Sequence, residues 1–216
     1  DRSIRFLTYP DQESRHVCRH ASPRSEGDLP NVPALSIDPG PPRRAFNPYA
    51  RMPRIPSSLI FIHTALLQRK FDVMGGAAFF GPVEQKRPTV WYCRHGAVVC
   101  DLDGRRAFEV HGAICRKWRA LGGAGWGRPT CDEMPTPDGS GRVSHFTGGR
   151  SIYRSPRTPA VVVGGDIRGR WDELGGVDSY LGYPVGDEED FSEDGRRCRF
   201  QNGGIYWWSD SGAIRS

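Results

Sequence analysis

Three times in this chain an apolar triplet spaced i, i+4, i+7 runs into a pair of glycines. Leu67, Phe71 and Met74 precede Gly75-Gly76; Ile114, Trp118 and Leu121 precede Gly122-Gly123; Ile167, Trp171 and Leu174 precede Gly175-Gly176. The spacing puts three side chains on one face of a two-turn helix. The first glycine can take the left-handed conformation that stops a helix. Asp166 is placed to cap the third helix. A unit this small cannot bury its own apolar face, so the chain must fold as a repeat protein whose units bury one another or close on themselves.

After each helix the same series of signals recurs. A glycine-containing loop comes first: Phe80-Gly-Pro82, Trp126-Gly-Arg-Pro129 and Leu181-Gly-Tyr-Pro184. Acidic or amide pairs follow: Glu84-Gln85, Asp132-Glu133 and Asp187-Glu188. Then comes a hairpin, turning near His95-Gly96, around Gly148-Gly149, and at Asn202-Gly203. A further strand carries Ala107, Ala160 and Ala213, spaced by 53 residues. The predicted fold is mostly β with one short helix per repeat, an α+β repeat arranged as a propeller-like or closed ring of helix-plus-hairpin units. The units span about 58–107, 108–160 and 161–216.

Residues 1–57 differ. They hold 10 of the 18 prolines, and only Ile4–Tyr9 has the β-branched and aromatic content of a strand. The rest predicts an irregular arm that packs on the repeats, with a disordered linker as the alternative and with Ile4–Tyr9 closing a ring or capping it.

Composition narrows the function. The 27 Gly and 18 Pro argue against long helical bundles. The net charge of +5 is carried by scattered Arg interleaved with 25 Asp and Glu, which makes nucleic acid an unlikely partner. No apolar run reaches the ~18 residues needed to span a bilayer. The six cysteines, Cys18, Cys93, Cys100, Cys115, Cys131 and Cys198, are even in number and favour disulfides and export. Asp1 at the start, with no Met, is simplest as a processed or trimmed end.

Trp171-x-x-Leu-Gly-Gly176, Leu181-Gly-Tyr-Pro184, Asp187-Glu188, Asp194-Gly-Arg196, Phe200, Gly204-Ile-Tyr-Trp207 and Gly212-Ala213 together resemble an LGFP repeat. The family motif has Phe where this chain has Tyr183. The middle unit is a looser match and the first is degenerate. The resemblance implies an exported protein, secreted or in the cell envelope, that attaches to a cell-wall polysaccharide or other glycan. It implies no catalysis.

The residue types that would hold a glycan are exposed aromatic planes beside carboxylates, since sugars offer C–H faces to the first and hydroxyls to the second. Trp126, Tyr183, Glu188, Tyr206, Trp207 and Trp208 are the candidates. Trp118 and Trp171 sit at core positions. The Asp-Glu pairs recur once per unit, which points to loop-pinning hydrogen bonds. Catalysis by adjacent carboxylates is disfavoured, because glycoside hydrolysis needs two held ~5–9.5 Å apart. His16, Cys18 and His20 share one strand face and suit copper or zinc; the base expectation is no cofactor. Two other readings stay open: a small secreted enzyme, metal-dependent in one version, that uses the N-terminal arm against the repeats, and a secreted effector that binds a host protein.

Overall fold

The computed structural model describes residues 4–9, 57–191 and 195–209, and all of them fall in one unit of the chain. Strand β1 (Ile4–Tyr9) comes first, followed by α1 (Ser57–Val73) and the short α2 (Gly76–Phe80). The first sheet contains β2 (Val83–Arg87), β3 (Val90–Cys93), β4 (Gly96–Cys100) and β5 (Ala107–His111), antiparallel and in that order. Helix α3 (Gly112–Ala120) leads to the second sheet of β6 (Met134–Pro135), β7 (Arg142–Phe146), β8 (Arg150–Ser155) and β9 (Thr158–Gly164). Helix α4 (Gly165–Glu173) leads to β10 (Glu189–Asp190), β11 (Gly195–Phe200) and β12 (Gly203–Ser209).

The third sheet takes its fourth strand from the other end of the chain. β1 pairs antiparallel with β12, from Ile4 opposite Ser209 to Tyr9 opposite Gly204, giving the order β1-β12-β11-β10. β1 thus occupies the place that β5 and β9 hold in the first two sheets. The sequence assigns that place to the strand around Ala213, which lies outside the described residues.

The helices form where the apolar triplets predict. Leu67, Ile114, Trp118, Ile167 and Trp171 are almost fully buried. Gly75, Gly122 and Gly175 end their helices at φ of 97°, 113° and 108°, a region a β-carbon disfavours. Asp166 is not the cap: Gly164 holds that position with no side-chain cap bond, and Asp166 lies exposed in the first turn. There its charge still complements the helix N-terminus.

Each internal helix is covered on both sides. Ile114 and Trp118 of α3 share one core with Val90, Ala97, Val99 and Val110 of the first sheet and with Phe146 and Ile152 of the second. Ile167 and Trp171 of α4 do the same between Val143, Tyr153, Val161 and Val163 and Cys198, Phe200 and Ile205. The first sheet also uses its other face, where Trp91, Cys93, Val98 and Cys100 meet Leu67 and Phe71 of α1. This explains why every residue of β4 is buried, where a sheet with one solvated face would alternate. Truncating Trp118 or Trp171 to Ala is expected to cost about 3–5 kcal/mol. The three sheets are separate and none closes into a barrel. The contacts on both faces of α3 and α4 bury the units without requiring the ring expected from sequence.

The expected disulfides are corrected. Cys93, Cys100, Cys115, Cys131 and Cys198 are free thiols. Cys93 and Cys100 face the same core, but the register Tyr92–Ala97 and Val90–Val99 puts them at opposite ends of the β3–β4 pair. Four residues of strand separate them, roughly 13 Å, against a Cα limit of about 7 Å for a bridge. Cys115 and Cys198 pack as small apolar side chains in the other two cores. The third hairpin turns one residue earlier than its Asn-Gly suggests, since Phe200 pairs with Gly203 and leaves Gln201-Asn202 as the loop.

Candidate functional site

A groove of about 530 Å³ opens at the junction of the second and third units. Trp126, Arg150, Val162, Gly164, Asp187, Glu188 and Arg196 line it. A smaller hollow of about 190 Å³ shares Gly164, Gly165, Glu188 and Arg196 and extends the groove to Asp166 and Trp207.

The groove is built on a hydrogen-bonding pattern that both junctions share. Asp187 Oδ1 accepts the Val162 N–H at 2.9 Å, and Glu188 Oε1 accepts the Gly164 N–H at 2.7 Å. Asp187 also pairs with Lys117 of α3. One junction earlier, Asp132 Oδ1 accepts the Glu109 N–H at 3.0 Å and Glu133 Oε2 accepts the His111 N–H at 3.2 Å. Asp132 there pairs with Lys70 of α1 at 2.6 Å. Each Asp-Glu pair therefore pins its loop to the last strand of the preceding sheet and to the helix that leads into that sheet. This is the loop-pinning role expected from recurrence.

The two junctions differ in what fills them. At the first, the His111 ring stands between carboxylates, with Nδ1 2.8 Å from Glu109 Oε2 and Nε2 3.4 Å from Glu133 Oε1. Arg142 Nε donates to Glu133 Oε1 at 3.2 Å, and Phe79 packs its ring 5.0 Å from that of His111. The Glu109 hydrogen bond raises the His111 pKa against the opposing effect of burial, with the Glu133 charge adding to the rise. At the second junction Val162 and Gly164 stand where Glu109 and His111 do. With no side chain at Gly164, no ring fills the second junction as His111 fills the first, and Glu188 lines the groove. Burial raises the Glu188 pKa, against the Gly164 N–H and Arg196, whose Nε lies 3.7 Å from Oε2.

Trp126 forms the other wall. It follows a 3-10 turn, Gly123–Gly125, and occupies the position that Phe80 and Leu181 take in the neighbouring loops. Those two side chains are fully buried, while Trp126 is half-buried. Its ring meets Phe146 edge-on at 5.4 Å, and the Arg150 guanidinium lies 4.6 Å from its centroid. Such a cation–π contact contributes about 0.5–2 kcal/mol.

Of the six sequence candidates, Trp126, Glu188 and Trp207 come together along this groove. Tyr183 does not. It is 5% exposed, and its hydroxyl bonds to Asp138 and Thr136, each at 2.6 Å. That leaves little ring surface for a sugar. Tyr206 and Trp208 point to the opposite face of β12 from Trp207, stacked at 6.1 Å beside Phe191. His16, Cys18 and His20 lie outside the described residues. Among the described residues no three His, Cys, Asp or Glu side chains gather in a way that could hold a metal. Sequence reasoning missed Arg150, Arg196 and Gly164; the strand register that opposes Arg150 to Gly164 is the signal that joins those two.

The model of the LGFP repeat family matches residues 127–179 and 181–215. The C-terminal region carries two LGFP repeats. Their junction is where the groove opens. The LGFP matches start at the loop before each sheet, so one match takes in a sheet and the helix after it. The first sheet, with α1 before it, has the same arrangement but lies ahead of the matched residues. The LGFP repeat family is cell-envelope-associated, which suggests an envelope-associated repeat protein. No helix among the described residues is long and apolar enough to cross a membrane. No curated protein matches the chain.

Proposed function

We propose that this protein is an exported, envelope-associated module that binds a cell-wall glycan in the groove between its two LGFP repeats. One observation carries the reading: at Trp126 the repeat exposes an aromatic where the neighbouring loops bury Phe80 and Leu181, and it does so across from Glu188 in the one junction left open by a glycine. An aromatic plane facing a polar wall is what a sugar ring needs, since its C–H face and its hydroxyls lie on different sides. Asp187 and Glu188 already accept backbone N–H groups, so they are held as fixed acceptors, which supports binding over hydrolysis. The test is retention of the purified chain on cell-wall polysaccharide fractions and on a glycan array. Trp126→Ala is expected to weaken binding at least tenfold while leaving the melting temperature within a few degrees. Wild-type protein that binds no wall fraction, or a Trp126→Ala variant that binds as well as wild type, would count decisively against this site.

A further inference from the structure

We propose that the glycan is acidic, and that Arg150 receives its carboxylate. This rests on the glycan-binding reading and adds a substrate class to it.

The groove is unequal along its length. Near Trp207 stands the exposed carboxylate of Asp166. Near Trp126 stands Arg150. The intervening charges are already matched: Asp187 is paired with Lys117 and bonded to the Val162 N–H, and Glu188 is bonded to the Gly164 N–H and faces Arg196. Among the described residues Arg150 has no carboxylate partner and no side-chain hydrogen bond. Its guanidinium lies on the face of Trp126. A half-buried guanidinium with no carboxylate partner among the described residues is a standing attraction for an anion.

The surroundings hold Arg150 in a defined place. A β-carbon on Gly164 would lie 3.0 Å from Arg150 Cγ, and one on Gly148 would lie 2.9 Å from Nη2. Both are glycines, and the side chain passes between them to lie over Trp126. The contact with Trp126 places the guanidinium in the groove. A guanidinium is a planar fork that binds a carboxylate through two parallel hydrogen bonds. A uronic acid carries a carboxylate on C5 of the ring, so one residue offers an anion to Arg150 while its hydroxyls reach the fixed acceptors Asp187 and Glu188.

The experiment uses the full chain and calorimetric titration with oligomers of galacturonate, alginate and hyaluronan, each beside its carboxyl-reduced, neutral counterpart. At least one uronate oligomer is expected to bind ten times more tightly than its reduced form, and that preference should weaken as salt rises from 50 to 300 mM. Arg150→Gln should abolish the preference. Arg150→Lys should retain part of it, since the charge stays while the planar fork is lost, and this guards against a Gln variant that folds poorly. Equal affinity for acidic and reduced oligomers, lost in Trp126→Ala, would overturn the acidic-sugar inference and leave the glycan-binding reading standing. A preference that survives Arg150→Gln would overturn the role of Arg150. No binding of any oligomer would overturn the inference, while the wall-fraction assay decides separately on glycan binding.

Discussion

The Tyr183 hydroxyl donates to Asp138 Oδ1 at 2.6 Å, tying the first loop of the third unit to a turn of the second. The LGFP motif that the chain resembles has Phe here, so the hydroxyl is an addition to the repeat. Burial alone would raise the Asp138 pKa, but hydrogen bonds from the Ser140, Tyr183 and Thr136 hydroxyls and the Ser140 N–H outweigh it and hold the carboxyl at about 2. Tyr183→Phe is expected to cost about 1 kcal/mol, because one hydrogen bond from a buried tyrosine to an exposed carboxylate is lost. The acid limb should change too. A carboxyl whose folded pKa is depressed stabilises the fold above its ordinary value near 3.8, and that contribution is lost as pH falls through about 2. Denaturant melts from pH 5 to 2 should therefore show a shallower loss for Tyr183→Phe than for wild type. Identical slopes would mean that the Tyr183 bond does not hold the Asp138 charge.

Glu188 tests the pinning pattern. Glu188→Ala removes the acceptor of the Gly164 N–H and should destabilise by about 1–3 kcal/mol. Glu188→Gln keeps an oxygen in that place and removes the charge that burial disfavours. The folded pKa of Glu188 is raised, so its stability contribution is greatest below the ordinary value near 4.5 and falls as pH rises through the folded value. At pH 7 the Gln variant should therefore match or exceed wild type in melting temperature, while the Ala variant falls below it. Equal losses in both variants would show that the charge, not the acceptor, holds the junction.

The repeat was legible because its signals are local: three apolar triplets, three glycine stops and three hairpins all follow from spacing within about twenty residues. The short first strands of the second and third sheets were not legible, because the two residues Met134-Pro135 or Glu189-Asp190 carry no periodicity. Nor was the pairing of β1 with β12, which joins residues some two hundred positions apart. The groove was half legible. Trp126 and Glu188 stand out as residue types, but Arg150 is joined to them only through its register with Gly164 and its contact with the Trp126 ring. Tyr183 differs for the opposite reason: an aromatic in a glycine-rich loop suggests an exposed plane, while its ring is buried in the core around Trp171 and its hydroxyl is bonded to Asp138 and Thr136.

The thiols offer a chemical check. Burial pushes Cys93 and Cys100 up to about 11 and Cys115 up to about 12, and raises Cys198 further still. A thiolate is the reacting species, so these four should resist alkylation in the native protein at pH 8. Iodoacetamide followed by peptide mapping is expected to label Cys131, which is half-buried, ahead of them. All five should be labelled after denaturation without a reductant. Any of the five that needs reductant before it reacts would place a disulfide where the structure has free thiols.

Gly164 decides whether the second junction is open. Its backbone is extended, at φ −149° and ψ −179°, so a side chain meets no strain from the main chain itself. The first sheet shows the alternative, with Gly96 opposite His111 where the second has Arg150 opposite Gly164. In each pair one member is glycine: a β-carbon on Gly96 would meet Phe80 and the Val110 carbonyl, and one on Gly164 would meet Arg150. A methyl at Gly164 would stand 3.0 Å from Arg150 Cγ, so Gly164→Ala must shift the Arg150 side chain by a few tenths of an ångström and disturb its contact with Trp126. The Gly164 N–H is untouched and keeps its bond to Glu188, and replacing Gly with Ala at a helix N-cap costs about 1 kcal/mol at most. The expected result is a fold nearly as stable as wild type with glycan affinity lowered several-fold, read by paired melting and calorimetric measurements. Unchanged affinity would separate the position of Arg150 from binding, and a large loss of stability would show that the glycine serves the α4 cap instead of the groove.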